Sequence, residues 1–231
     1  MAMEVRSMVP VSLDDPSKSR RPIWHDVSAR FIDPSECLAS FLALEAAEVL
    51  EGAKPANLIS VGNRKRSCGR NLYELWRSLG GAVLAGSGLM ALELADRGDS
   101  VMLLLYSPLA MQALLERSNV LAVLRRAGYA EHESMDEILD ELASRVAVGG
   151  FPHEIGVFLG YPLKDVAAFM GWVRLPFVSQ GPWKIYGDPG ESLRLAATFR
   201  CCRKRMAERL ESCASPFECL GSGAGSRGIF C

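Results

Sequence analysis

The sequence contains no apolar run that approaches the ~20 residues that a membrane-spanning helix requires. Its longest apolar run, residues 101–106, has only the length of a strand. The polar N-terminus also lacks the apolar core of a secretion signal. These absences argue against a membrane partner and predict a cytoplasmic protein.

The sequence also has no excess of positive charge, because 26 lysines and arginines stand against 27 aspartates and glutamates, for a net charge of −1. A surface that binds the phosphates of nucleic acid or of an anionic membrane normally carries a basic excess. Nucleic acid is therefore not favoured as a partner.

The seven cysteines form no C-x-x-C pair and lack the spacing of a zinc finger. Their pattern favours free thiols over a metal site.

No fingerprint of a common catalytic or cofactor site occurs in the sequence. The G-x-S-x-G nucleophile elbow, the phosphate-binding P-loop and the G-x-G-x-x-G dinucleotide motif are all missing. The adjacent His153 and Glu154 do not form the H-E-x-x-H zinc motif, because the residue four positions after His153 is Val157. The sequence therefore identifies no cofactor and no metal site.

The most specific stretch that is present, residues 150–172, predicts two short helices joined by a tight turn. Apolar residues recur with the i, i+3, i+4 spacing of a helix face on both sides of Gly160, namely Ile155, Phe158 and Leu159 before it and Val166, Phe169 and Met170 after it. Pro152 and Pro162 suit the first turns of the two helices, and Gly160 suits the end of the first. The residues expected to be buried are Phe158, Leu159, Val166 and Phe169.

This hairpin also resembles a helix-turn-helix, which makes a DNA-binding regulator one alternative function. The second helix of such a motif must present polar or basic side chains to the DNA. Here it offers one lysine, Lys164, beside one aspartate, Asp165. The sequence therefore favours a hairpin used for packing, with DNA binding as the weaker alternative.

Capping signals and apolar patterns along the chain predict an α+β fold, in which helices and the helix-turn-helix-like hairpin flank a small sheet of about four strands. The expected strands cover residues 56–61, 90–95, 100–107 and 183–186, and the principal helices cover 34–50, 71–79, 107–116, 118–127, 134–148 and 188–210. The glycines between residues 80 and 88 are expected to form a loop. We expect a flexible arm over 1–30, a single globular domain over 31–210 and a disordered tail over 211–231.

Three runs of the sequence carry a family resemblance: FPHEIGVFLGYPLKDV (residues 151–166), WKIYGD (183–188) and AKPANLISV (53–61). Together they resemble the signature of a bacterial family of uncharacterised proteins, domain of unknown function 3793. The resemblance spans roughly residues 34–205. It implies no reaction, because no reaction is assigned to that family.

The polar residues of these runs are the candidates for a ligand site: His153, Glu154, Tyr161, Lys184, Tyr186 and Asp188. The alternation of a strand places Trp183 and Ile185 on one face and Lys184 and Tyr186 on the other. We expect the Trp183 face to enter the core and to pack against the hairpin. Lys184 and Tyr186 would then point toward His153 and Glu154.

The sequence leaves three functions open. The favoured one is a non-catalytic binding or regulatory protein, whose small ligand or partner protein occupies a site near the HEIG turn and the WKIYGD strand. An enzyme that uses His153 as acid or base is the alternative, and the DNA-binding regulator is the third. A purely structural role is the competing interpretation, in which His153 and Glu154 cap the hairpin and Lys184 pairs with a carboxylate in water.

Overall fold

The computed structural model of the chain describes residues 22–66, 68–130, 134–148 and 151–221. Within them, two short 3-10 helices, Trp24–Asp26 and Ser28–Arg30, precede ten α-helices and five strands. The α-helices are α1 Pro34–Glu45, α2 Ala47–Leu50, α3 Leu72–Leu84, α4 Pro108–Leu115, α5 Ser118–Arg126, α6 Met135–Ala147, α7 Ile155–Phe158, α8 Leu163–Phe169, α9 Gly190–Ser212 and α10 Pro216–Gly221. The strands are β1 Ala56–Gly62, β2 Met90–Asp96, β3 Ser100–Tyr106, β4 Phe177–Gln180 and β5 Lys184–Tyr186.

The larger sheet is antiparallel and has the strand order β1-β3-β2. Ile59 of β1 lies opposite Leu103 of β3, and Leu92 of β2 lies opposite Leu104. The central strand β3 is apolar on both faces, as its run of apolar residues predicts. Because side chains alternate along a strand, β3 supplies side chains to two separate cores.

The first core lies on the face of β3 that carries Val101, Leu103 and Leu105, and it is completed by α1, α2, α3, the end of α9 and α10. The second lies on the face that carries Leu104 and Tyr106, where α4, α5, α6 and the α7–α8 hairpin pack. Trp183, Ile185, Ala196 and Phe199 form a third, smaller cluster between β5 and α9. The chain is thus an α+β fold, as the sequence predicts.

The strands differ from the prediction in number and grouping, because β4 and β5 form a second sheet of their own. The pattern of the sequence does not reveal β4, since Phe177 and Val178 are both exposed and show no alternation of burial. Helix α3 continues to Leu84, where a glycine loop was expected. Gly80 serves packing there, because a Cβ on Gly80 would lie 2.6 Å from Cε3 of the Trp76 ring.

Both ends of the described chain belong to the first core, where the sequence predicts a flexible arm and a disordered tail. Trp24 is buried, and its indole N–H donates to the Ser40 hydroxyl at 3.0 Å. Cys219 and Leu220 of α10 are buried against α1. The remainder of the expected arm, residues 1–21, and of the expected tail, residues 222–231, lies outside the described residues.

The six cysteines in the described residues form no disulfide with one another. Burial raises the pKa of Cys202 and of Cys219 to about 12. Both therefore stay protonated at neutral pH and behave as small apolar side chains.

None of the helices in the described residues is long and apolar enough to cross a membrane.

Candidate functional site

Two glycines allow close approaches of the α7–α8 hairpin, one to Pro55 directly before β1 and one within the hairpin itself. Gly160 has a φ of +69°, and a Cβ there would lie 2.7 Å from the Pro55 side chain. A Cβ on Gly156 would lie 3.0 Å from Val166, so that glycine lets α8 approach α7. The first helix begins at Ile155 rather than at the expected Pro152, and it is a single turn. The hairpin is therefore tighter than the sequence indicates.

Phe158, Leu159 and Val166 are buried in the second core, as predicted. Phe169 was also expected to be buried, and this prediction is wrong, because its side chain is 41% exposed. The ring lies at the outer edge of α8. Helical spacing alone does not reveal whether another element covers a side chain at this position. Its ring centroid is 4.9 Å from that of His153, and the Lys184 ammonium lies 5.2 Å from it.

A cavity of about 360 Å³, called here the apolar pocket, opens between the hairpin and the β4–β5 sheet. Its lining is mostly apolar and consists of Phe151, His153, Ile155, Gly156, Leu159, Tyr161, Asp165, Val166, Phe169, Gln180, Trp183 and Lys184. Three of the six candidate residues meet here: His153, Tyr161 and Lys184. The first two come from the hairpin and the third from β5, so the two sequence motifs share one cavity.

At β5, Trp183 directly before the strand and Ile185 within it are both buried, as the alternation of the predicted strand indicates. The Trp183 ring stacks on Tyr161, with centroids 4.5 Å apart and planes inclined by 22°. Lys184, on the opposite face, is exposed at the rim of the apolar pocket. The expected contact between the two motifs is therefore formed.

Glu154 does not line the apolar pocket. It is buried, and its carboxylate accepts a hydrogen bond from the Arg145 guanidinium at 3.0 Å. The same guanidinium donates to the Ala127 carbonyl at 2.6 Å and to Glu141 at 2.7 Å. Glu154 thus connects the start of the hairpin to α6, and the structure gives it a structural contact.

Tyr186 and Asp188 also lie away from the apolar pocket. The Tyr186 ring meets Phe177 of β4 edge to face, with centroids 6.0 Å apart. The Asp188 carboxylate accepts a hydrogen bond from the Gly190 N–H at 3.0 Å, at the start of α9. The structure therefore does not bring these two side chains together with His153 and Lys184.

Asp165, at the start of α8, is the polar centre that joins the two motifs, and sequence reasoning missed it. It is 1% exposed. Its carboxylate accepts four hydrogen bonds, from the Trp183 indole at 2.8 Å, the Ser192 hydroxyl at 2.6 Å, the Tyr186 amide at 2.9 Å and the Lys164 ammonium at 2.8 Å. Burial would raise the pKa of this carboxyl, but the four donors outweigh burial and hold the pKa below its usual range.

A second cavity, called here the polar pocket, has a volume of about 590 Å³. Its lining includes five charged side chains, Glu45, Glu48, Lys54, Arg200 and Arg203, together with Asn57, Leu58, Ile59, Leu159, Tyr161, Gln180, Gly181, Pro182 and Phe199. Leu159, Tyr161 and Gln180 line both cavities. The two pockets therefore share one wall.

A buried chain of hydrogen bonds runs along the polar pocket. The Lys54 ammonium donates to the Asn57 side-chain oxygen at 2.5 Å, and the Asn57 amide donates to Glu48 at 2.6 Å. The ammonium also lies 5.2 Å from the Tyr161 ring and 4.9 Å from the Phe199 ring, which is within the range of cation–π attraction. Lys54 and Asn57 belong to the AKPANL run, from which the sequence predicts a strand and the family resemblance but no site.

The other charged pair of this pocket is self-contained. The buried Arg203 guanidinium donates to both carboxylate oxygens of Glu45, at 2.6 and 3.3 Å, and to the carbonyls of Leu44 and Pro22. Among the described residues, no cluster of histidine, cysteine and acidic side chains could hold a metal ion.

The model of the family described as "Protein of unknown function (DUF3793)" matches residues 42–220 of the chain. The comparison with curated proteins gave no match, and the comparison with solved structures gave none.

Proposed function

The chain belongs to the DUF3793 family of proteins of unknown function, and we propose that it is a binding protein for a small, largely apolar ligand with one acidic group. The ligand occupies the apolar pocket. The single observation that carries this proposal is that His153 of the hairpin and Lys184 of β5 both contact the ring of Phe169 at the rim of one cavity.

The lining of the apolar pocket supports a ligand with an apolar body. Leu159, Val166 and Trp183 are buried side chains at its floor, and Phe151 and Phe169 leave about half of their surfaces exposed at its mouth. Small-molecule sites are usually mostly apolar with a few placed polar groups. A volume of about 360 Å³ lies within the range of such sites.

The charges at the rim support an acidic group on the ligand. Lys184 is the exposed cation of the pocket, and the imidazole of His153 is exposed close by. Asp165 also lines the pocket, but its carboxylate oxygens already accept four hydrogen bonds inside the protein. A carboxylate on the ligand would therefore meet the ammonium of Lys184.

Binding is favoured over catalysis by His153 because of the surroundings of the imidazole. A catalytic histidine is normally oriented by a second side chain, most often a carboxylate. The imidazole contacts the Phe169 ring, and among the described residues its nitrogens form no hydrogen bond. An enzyme that uses His153 thus has less support than a binding protein.

Binding is also favoured over DNA recognition, because the basic residue of α8 is directed into the fold. The Lys164 ammonium donates to Asp165, to the Tyr186 carbonyl at 2.9 Å and to the Ser192 hydroxyl at 3.0 Å. A side chain held by three internal acceptors is not presented to a phosphate or a base edge.

Matched pairs of acidic and neutral ligands test the proposal. Octanoate and phenylpropionate should quench or enhance the fluorescence of Trp183 and should saturate, whereas octanol and phenylpropanol should bind more weakly. Lys184→Met should reduce the affinity for the carboxylates measurably, by up to about tenfold, because it removes one partly solvated charge. The affinity for the alcohols should stay unchanged.

Lys204→Met is the matched control, because the Lys204 side chain is 63% exposed and lines neither pocket. It should leave all four affinities unchanged. Carboxylates that show no saturable binding, or that bind Lys184→Met and the unmodified chain equally, would contradict the proposal.

A further inference from the structure

We propose that the polar pocket is a second binding site, which takes a small hydroxylated monocarboxylate. The inference goes beyond the proposed function, since it concerns another cavity, other residues and a polar class of ligand. It rests on the three buried groups Glu48, Asn57 and Lys54, on the charge balance of the cavity, and on the wall that the two pockets share.

Two side chains of opposite charge are buried at this cavity, although apolar side chains could fill the same space. Lys54 is 7% exposed and Glu48 is 5% exposed, and both line about 590 Å³ of open space. Removing such charges from water costs several kcal/mol for each ion, and apolar residues of the same volume would often be neutral or stabilising. Buried charges that border a cavity are therefore candidates for a functional site.

The Lys54 ammonium is held in place before any ligand arrives. The Asn57 side chain accepts its hydrogen bond at 2.5 Å, and the rings of Tyr161 and Phe199 lie within about 5 Å of it. Asn57 is itself fixed, because its amide donates both to Glu48 and to the Glu45 carbonyl. A charge positioned in this way binds an anion without further loss of side-chain freedom.

The balance of charge selects a monoanion. Arg203 and Glu45 neutralise each other through two hydrogen bonds. The remaining charges of the lining are positive on Lys54 and Arg200 and negative on Glu48, which leaves one net positive charge. A ligand with two or three negative charges would be repelled by Glu48, since like charges at close range in a partly buried site are costly.

Glu48 also sets the second requirement on the ligand. A carboxylate accepts hydrogen bonds and donates none, so the ligand group that meets Glu48 must be a donor. A hydroxyl on a monocarboxylate supplies that donor while its own carboxylate faces Lys54 and Arg200. An unsubstituted carboxylate of the same size would leave Glu48 without a ligand partner and should bind less well.

The shared wall places the two sites next to each other. Tyr161 stacks on Trp183, which lines the apolar pocket, and Tyr161 also contacts the Lys54 ammonium of the polar pocket. Occupancy of the polar pocket should therefore be visible at Trp183, even though the ligand does not touch it.

Calorimetric titration with four sodium salts tests the proposal. Lactate and gluconate carry one charge and hydroxyl groups, propionate lacks the hydroxyl, and malate adds a second charge. We expect saturable binding of lactate or gluconate in the millimolar range or tighter, and at least about threefold weaker binding of propionate and of malate. The absence of saturable binding by both hydroxy acids overturns the proposal, and so does equal binding of all four salts.

Two variants assign the binding to this cavity. Lys54→Met should weaken binding of the hydroxy acid about tenfold or more, because it removes a buried charge partner. If Lys54→Met does not fold, Arg200→Gln replaces it, since Arg200 is exposed, and a loss of about threefold or more is expected. Unchanged affinity in the folded variant overturns the proposal.

A measurement on the unmodified chain gives a readout that does not depend on any variant. The chain contains six lysines, so their Cε signals can be resolved by NMR after labelling with ¹³C-lysine. Addition of the hydroxy acid should move the Lys54 signal and leave that of Lys204 in place. A shift at Lys184 with none at Lys54 would place the ligand in the apolar pocket and would overturn the proposal.

The two proposals can fail separately. Lys184→Met should leave the affinity for lactate and gluconate unchanged, and Lys54→Met should leave the affinity for octanoate unchanged. Loss of octanoate binding alone counts against the proposed function, and loss of hydroxy-acid binding alone counts against the second site.

Discussion

At the residue scale, Asp165 shows how one buried carboxylate connects segments that are distant in the sequence. Its four donors come from α8, from β5 and its N-terminal flank, and from α9. If this carboxylate is removed, its donors stay buried without acceptors. The free-energy cost of these unsatisfied donors exceeds the net contribution of the hydrogen bonds. The relation between the hairpin and the apolar pocket therefore depends on this residue.

Asp165→Asn should lower the free energy of unfolding by about 3 kcal/mol at neutral pH, because the amide cannot accept from all four donors. The pKa of Asp165 is depressed in the folded state. Its stabilisation is therefore full above the unfolded-state pKa of about 3.9 and is lost as the pH falls through the folded-state pKa. Urea denaturation of both chains at a series of pH values measures this.

The difference between the two chains should be constant from about pH 7 to about pH 5 and should shrink as the pH falls below about 4. Ser144→Ala is the control, because Ser144 lies on α6 and is exposed. A difference between Asp165→Asn and the unmodified chain that grows toward acid pH would contradict the sign of the pKa shift.

At the scale of the elements, the α7–α8 hairpin joins the two pockets because its turn packs directly on Pro55, the residue before β1. Gly160 approaches Pro55, which is the neighbour of Lys54 in the polar pocket. Tyr161, the next residue, contributes to the walls of both pockets. The turn therefore positions the AKPANL run and the hairpin with respect to each other.

Gly160→Ala should destabilise the chain more than Gly171→Ala, and the two form a matched pair. Both glycines have positive φ, +69° and +73°, so both alanines should lose about 1–2 kcal/mol to backbone strain. A Cβ on Gly160 would also overlap Pro55 at 2.7 Å, whereas a Cβ on Gly171 meets nothing within 4 Å. The overlap should add about 1–3 kcal/mol.

Thermal and urea unfolding of the two glycine variants measures the difference. Equal losses of stability in Gly160→Ala and Gly171→Ala would show that the turn does not press on Pro55. Gly160→Ala should also weaken ligand binding in the polar pocket, because a shift of Pro55 would displace the adjacent Lys54.

At the scale of the whole molecule, the two ends of the described chain close the first core. The N-terminal segment places Trp24 against Phe41 of α1, with ring centroids 5.8 Å apart. At the other end, α10 places Cys219 and Leu220 against the same helix. The first core thus includes residues on both sides of the range 31–210.

A chain that ends at Cys213 should lose about 3 kcal/mol of stability, since it exposes the surface of α1 that Cys219 and Leu220 cover. For a domain of this size, that loss corresponds to a decrease in Tm of about 6–12 °C. Calorimetry measures it. A chain that ends at Gly221 is the control, because it keeps every contact of α10, and equal Tm values for the two truncated chains would contradict the role of α10.

Local patterns in the sequence were sufficient to predict most elements and part of the lining of the apolar pocket. The apolar run of β3, the capping box at Ser134 and the alternation along WKIYGD depend on neighbours in the chain, and the structure agrees with each. The same alternation, together with the short connection to the hairpin, predicted that Trp183 packs against it. The sequence thereby determined the α+β class and the meeting of His153 with Lys184 at one pocket.

Tertiary structure alone decided which polar residues of the motifs reach a cavity. Glu154 and His153 are adjacent, but side chains one residue apart point in different directions, and only the position of Arg145 on α6 draws Glu154 away from the pocket. Phe169 has the helical spacing of a core residue, yet burial depends on how far other elements cover it, and the described residues leave its side chain 41% exposed. Lys54 and Asn57 line the polar pocket beside Tyr161 and Phe199 because the turn at Gly160 and helix α9 bring these two rings to Lys54, and no local pattern encodes such a long-range contact.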